Sequence, residues 1–179
     1  ASLGFIGLLV LLGTWDMEAA DPLIPGARSR GMSIAGVVLD GQTNGFGNPA
    51  GLATLSLPSL GIRYADFFQI PGLGQGAFSF GIPAMNGAFC LDYSSCGNTF
   101  YHENQACLSF GKAFGNMFRA GIGLHYLVIR QPDGFENLSV LSPSLGAQIM
   151  PHTGMTLGLC LFNPAAQGYH PAGRIRLPR

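Results

Sequence analysis

Charged residues are scarce in this chain. Only 10% of its 179 residues are Asp, Glu, Lys or Arg, against roughly 25% in an ordinary soluble protein. Basic and acidic residues balance at nine each, and Lys112 is the single lysine, so the composition does not indicate nucleic acid binding. A soluble protein with so few charges would be poorly protected against association. We therefore expect some of the apolar residues to face lipid.

Long hydrophobic runs are also missing. No stretch reaches the about 18 consecutive apolar residues of a transmembrane helix, so any membrane span has to consist of strands. The apolar run 3–13 has the length of a signal-peptide core, although no basic segment precedes it. Small residues follow at Ala19 and Ala20. We predict a signal peptide over 1–20, with a buried N-terminal helix or strand as the alternative.

Motifs of catalysis and metal binding are absent. The four histidines stand in no H-E-x-x-H frame and no serine lies in a G-x-S-x-G elbow. We expect no enzymatic activity, no metal and no cofactor. The cysteines show no C-x-x-C spacing and indicate no particular disulfide, which favours a role as small lumen-facing residues. They are Cys90, Cys96, Cys107 and Cys160.

Alternation of apolar with small or polar residues dominates the chain after residue 57. In the clearest segment, Phe118, Ala120, Ile122 and Leu124 oppose positions held by Arg119, Gly121, Gly123 and His125. This period of two predicts strands. Seven such segments, separated mostly by short turns, lie at about 60–68, 74–83, 87–95, 99–111, 117–130, 138–149 and 155–162.

The predicted strands are about as long as the ~9–11 residues that cross a bilayer at a tilt. One face is aliphatic and aromatic, and the other is mostly Gly, Ala, Ser and Cys. We predict an all-β fold, an antiparallel transmembrane β-barrel over 57–179 with about seven to eight strands in this chain. A soluble sandwich or lipocalin-like barrel is the alternative, but its outer face would carry more charge.

Four ionisable residues fall on the predicted lumen side, where they could form a polar network. Such a network would hold the interior of a narrow barrel together, and a catalytic role is the less favoured interpretation. The residues are Asp92, Glu103, Arg119 and His125.

The irregular segment 21–56 precedes these strands. Asp40-Gly41 and Asn44-Gly45 are turn dipeptides. Asn48-Pro49 is a further turn signal, and 50–55 can form one helical turn with Pro49 at its first position. We predict that this segment is an entry or plug segment of the barrel.

The stretch Gly26–Leu55 resembles the PorV/PorQ group of Bacteroidetes outer-membrane proteins, which are related to FadL-type barrels. The resemblance is carried by four elements in the family's order and spacing. They are Gly26-Ala27-Arg28, Gly31-Met32, the apolar run 37–40 ending in Asp40, and Asn48-Pro49-Ala50-Gly51-Leu52-Ala53.

The resemblance implies a bacterial outer-membrane barrel that takes part in type IX secretion or in surface attachment of secreted proteins. Its partners would be outer-membrane lipid and either the translocon or secreted client proteins. Asn48, Pro49 and Ala50 would form the motif of the entry segment, framed by Gly26, Arg28 and Gly31. A FadL-like channel for hydrophobic small molecules and a purely structural barrel fragment are the alternatives.

Two features depart from the family pattern. Family barrels are far longer, and bacterial barrels have an even number of strands from about eight upward. The final residues RIRLPR lack a terminal aromatic and resemble the start of another strand. We therefore expect further chain or a partner to complete the sheet.

Overall fold

A computed structural model describes residues 36–41, 46–66, 74–98, 100–132, 136–152, 154–165 and 167. The predicted signal peptide over 1–20 lies outside these residues, as do Gly26, Arg28 and Gly31.

Seven antiparallel strands form one sheet in which each strand pairs with its neighbour in sequence. The sheet curls into a half-barrel, so the predicted all-β antiparallel meander is confirmed. The strands are β1 (Ser59–Asp66), β2 (Gly74–Ala84), β3 (Gly87–Gly97), β4 (His102–Phe114), β5 (Phe118–Arg130), β6 (Leu138–His152) and β7 (Met155–Phe162).

Burial alternates along the strands as the sequence pattern predicts. In β5 the side chains of Ile122, Leu124 and Tyr126 are exposed, whereas His125 and Leu127 are buried. We call the face that carries His125 the inner face and the opposite one the outer face. Because successive residues of a strand point to opposite faces, each strand contributes one set of side chains to each.

The outer face is apolar across the sheet. Cross-strand pairing aligns its side chains in rows that run from strand to strand. One row consists of Leu60, Phe80, Leu91, Leu108 and Leu124, all exposed. The next consists of Ile82, Phe89, Phe110, Ile122, Leu145 and Leu161. These rows form a continuous apolar belt.

The inner face is largely polar. Its buried side chains include Gln75, Ser79, Asp92, Ser94, Gln105, Ser109, His125, Ser142, Ser144 and Gln148. Apolar clusters on this side are small: one joins Leu127, Leu138 and Val140, and the other joins Leu52, Ala88 and Cys90. The distribution of polarity is therefore the reverse of that in a water-soluble sheet protein.

The β2–β3 connection is a two-residue turn between the paired residues Ala84 and Gly87. Met85 and Asn86 both have positive φ, 56° and 59°, as a type I′ hairpin requires. This turn sets the register of the first two long strands.

Within the described ranges, no helix has the length and apolarity to cross a membrane. The described sheet is open, because β1 pairs only with β2 and β7 only with β6 among these residues.

Candidate functional site

The segment before β1 lies on the inner face of the sheet. Its centre is a 3₁₀ helix, Pro49–Thr54, which contacts β3, β4, β5 and β6. Asn48 caps this helix by accepting a hydrogen bond from Ala50 N at 3.0 Å, and proline at the first position suits a helix start. We call residues 36–41 and 46–55 the plug.

The Asn48 side chain joins the plug to the sheet. Its Nδ2 donates to Val37 O at 2.7 Å within the plug, to Ala147 O at 3.2 Å on β6 and to Leu159 O at 3.3 Å on β7. Asn48 is 1% exposed. One buried amide therefore contacts the helix, the preceding turn of the plug and two strands.

Glycines on the inner face allow the helix to approach the sheet closely. Gly111, Gly121 and Gly146 are cross-strand partners on β4, β5 and β6. A Cβ atom at Gly121 would lie 2.6 Å from Ala50 N, and one at Gly111 would lie 2.9 Å from Leu52 Cβ. We call these three residues the glycine row; it is a seat for the plug backbone.

Polar contacts hold the rest of the plug. Gln148 Nε2 donates to Val37 O at 3.2 Å and to Leu39 O at 3.3 Å. Arg119 forms a 2.6 Å ion pair with Asp40, and its side chain is only 15% exposed. The plug is thus bound through its backbone as well as through Asn48.

A second group of polar side chains crosses the inner face beside the plug. Ser79, Asp92, Cys107, His125 and Ser142 are successive cross-strand partners. Ser79 Oγ donates to Asp92 Oδ1. We call these five residues the polar row.

Asp92 is fully buried and is bound by hydrogen bonds from two sides. Cys90 Sγ donates to its Oδ2 at 3.3 Å, and Ser79 donates to its Oδ1. Arg63 in turn donates to Ser79 Oγ at 3.4 Å. Ser79 therefore stands between a guanidinium and a buried carboxylate, the arrangement of a structural hydrogen-bond chain.

His125 is also fully buried. Its Nε2 lies 2.8 Å from Ser144 Oγ, and its ring packs against Phe46 and Phe162 with centroids 6.4 Å and 5.1 Å away. His125 Nδ1 has no hydrogen-bond partner among the described residues. Both side chains are buried, His125 at 0% and Ser144 at 1% exposed, and form part of the packing of the interior.

The predicted motif residues Asn48, Pro49 and Ala50 are all buried at the plug–sheet contact. Of the four predicted lumen residues, only Asp92 and His125 lie in the same cross-strand row. Asp92 and His125 belong to the polar row, while Arg119 pairs with Asp40. Glu103 is exposed near the start of β4 and accepts a hydrogen bond from Tyr101.

The four cysteines are present as thiols. Cys160 Sγ donates to Gly47 O at 3.5 Å, and Cys107 Sγ lies 3.7 Å from His125 Nε2. Within the part of the chain that the structure describes, no group of three or more His, Cys, Asp or Glu residues is arranged to hold a metal ion.

Sequence reasoning missed the glycine row and the roles of Gln148 and Phe46. The signal for the glycine row was the recurrence of glycine at inward positions of β4, β5 and β6. Using it requires the strand register, because only the register brings Gly111, Gly121 and Gly146 side by side.

Comparison with known proteins yields no match: no family model, no curated protein and no solved structure matches the chain.

The glycine row predicts a large effect of a single methyl group. Gly121→Ala would push a Cβ into the plug backbone and lower the free energy of unfolding by about 1–3 kcal/mol, the usual cost of overpacking. Gly76→Ala is the matched control, because a Cβ at that strand glycine meets nothing within 4 Å. Denaturant unfolding measures the stability of both variants. Equal stabilities of Gly121→Ala and Gly76→Ala would contradict close packing of the plug backbone against the glycine row.

Loss of the Asn48 amide should weaken the plug. Asn48→Ala removes a helix cap and leaves buried carbonyls at Val37, Ala147 and Leu159 without this donor. We expect a loss of about 2 kcal/mol in the free energy of unfolding and faster proteolysis of the plug. Asn116→Ala, in an exposed turn, is the control. If Asn48→Ala were as stable and as resistant to proteolysis as Asn116→Ala, Asn48 would not hold the plug on the sheet.

Proposed function

We propose that this protein is an outer-membrane β-barrel protein that acts through protein contacts in type IX secretion or in surface attachment of secreted proteins. The observation that carries the proposal is a curled antiparallel sheet with an apolar outer face and a polar inner face covered by a plug. The resemblance of Gly26–Leu55 to the PorV/PorQ group supplies the secretion role.

The distribution of apolar side chains on the outer face and polar side chains on the inner face supports a lipid environment for the sheet. In water the apolar belt would be a large exposed patch, whereas lipid-facing strands alternate apolar outward with polar inward. The exposed fractions of outer-face side chains are high, 59% for Ile122 and 61% for Leu159. In a bilayer these side chains would contact acyl chains.

The inner face favours protein contacts over conduction of hydrophobic solutes. A FadL-like conduit would need an apolar path through the lumen, but the inner face carries Ser, Gln, Asp and His. The plug also occupies the glycine row, where a path along β4, β5 and β6 would run. A conduit and a purely structural barrel remain the alternative functions that experiment has to separate.

A charge placed in the apolar belt tests the membrane assignment. Leu108→Arg, in the middle of β4, should destabilise the protein in lipid by about 2–4 kcal/mol, the depth-dependent cost of arginine on a lipid-facing strand. Leu57→Arg, before β1 and 72% exposed, should cost about 0–1 kcal/mol near the interface. Urea titration in lipid vesicles measures both. If both variants matched the wild type, the outer face would be facing water.

Deletion of the protein in its host tests the secretion role. We expect secreted proteins to disappear from the cell surface and accumulate in the periplasm, while uptake of long-chain fatty acids stays normal. Surface proteomics and a labelled fatty-acid uptake assay report the two outcomes. Impaired uptake with normal secretion would instead support the conduit, and no change in either would support a structural barrel.

A further inference from the structure

A groove crosses the outer face at the end of the sheet opposite the β2–β3 turn. It spans β3, β4 and β5 and has a volume of about 430 Å³. Tyr93 and Tyr126 form its walls, and Ala106 lies between them as their cross-strand partner on β4. The small alanine leaves a depression between two aromatic rings, and this depression opens onto the apolar belt.

The other end of the groove is polar. His102 and Arg130 are direct cross-strand partners there. Ser95 Oγ lies 2.7 Å from His102 Nε2 and fixes the ring. Asn104 Oδ1 accepts from Tyr93 at 2.7 Å, which leaves the Asn104 amide hydrogens to donate elsewhere.

The groove is therefore rich in hydrogen-bond donors, and Arg130 gives it a positive charge. No Asp or Glu is among its described lining residues. Arg130 and His102 lie directly opposite each other on adjacent strands, so an anion between them can contact both side chains. A guanidinium is the side chain best suited to bind phosphate, because its planar N–H groups can contact two oxygens at once.

In the proposed membrane location, the polar end of the groove lies at the depth of lipid headgroups. From Phe114 to His102, β4 advances 12 residues (114 − 102), or roughly 30 Å along the membrane normal at ~3.4 Å per residue and a tilt of ~40°. The apolar band of such proteins is about 25 Å tall. With one edge of the band placed at Phe114, His102 and Arg130 lie just beyond its other edge, and the tyrosines lie at that edge, where tyrosine is enriched.

We propose that this groove binds one phosphate-bearing membrane lipid. Its phosphate lies between Arg130 and His102, and one acyl chain lies over Ala106 between Tyr93 and Tyr126. The proposal rests on the proposed membrane location of the sheet. A lipid fits better than a free anion because the polar end and the apolar depression belong to one continuous groove.

Lipid titration of the full-length protein in detergent, followed by native mass spectrometry, tests the proposal. The probes are phosphatidylglycerol and diacylglycerol with the same acyl chains, and inorganic phosphate alone. We expect one phosphatidylglycerol per chain and much weaker binding of diacylglycerol. Arg130→Gln should weaken phosphatidylglycerol binding about tenfold, which corresponds to ~1.4 kcal/mol. Ala106→Trp, which fills the depression, should weaken both lipids.

Lys112→Gln is the matched control, because it removes an outer-face cation near the opposite end of β4. It should bind phosphatidylglycerol like the wild type. Equal affinities of Arg130→Gln and Lys112→Gln would overturn the proposal, as would inorganic phosphate binding as tightly as the lipid. Membrane fractionation of each variant distinguishes failure of the proposed lipid site from failure of the proposed function. A protein that stays in the outer membrane but shows no effect of Arg130→Gln contradicts only the lipid site, whereas a water-soluble protein contradicts the proposed function as well.

Discussion

The buried amide of Asn48 is the contact on which the inner face depends. It caps the 3₁₀ helix through its oxygen and donates through its nitrogen to the plug, β6 and β7. Because an unpaired buried polar group costs about 1–3 kcal/mol, the carbonyls that Asn48 satisfies constrain where the helix can lie. The glycine row then decides how closely it can approach, since any side chain there would displace the plug backbone.

Backbone and polar side chains fill the concave inner face, so the large apolar side chains of the strands lie mainly on the outer face. The apolar clusters on the inner face comprise only three buried residues each. Most large apolar side chains of the strands instead point outward. In the proposed bilayer these outward side chains would contact acyl chains, while hydrogen bonds hold the plug on the inner face.

Side-chain alternation predicted the strands well because a strand places every second residue on the same face. Asn48-Pro49 likewise predicted a helical turn, since both residues act locally. The seat of the plug was not predictable, because it requires the register that aligns Gly111, Gly121 and Gly146. The pairing of Arg119 with Asp40, 79 residues apart, depends on tertiary structure. Alternation also predicts which face of the sheet a side chain lies on, but not how deeply it is buried. Glu103 lies on the predicted face and is nevertheless exposed.

Spin labels on the two faces test the central claim most directly, namely that the apolar face contacts lipid and the polar face is interior. Single labels at Leu91, Leu108 and Leu124 occupy one outer row, and labels at Ser94 and Ser142 occupy the inner face. In protein reconstituted in lipid vesicles, the outer labels should be accessible to oxygen and shielded from a water-soluble nickel reagent, whereas the inner labels should be poorly accessible to both. Outer labels that the nickel reagent reaches freely would contradict the account.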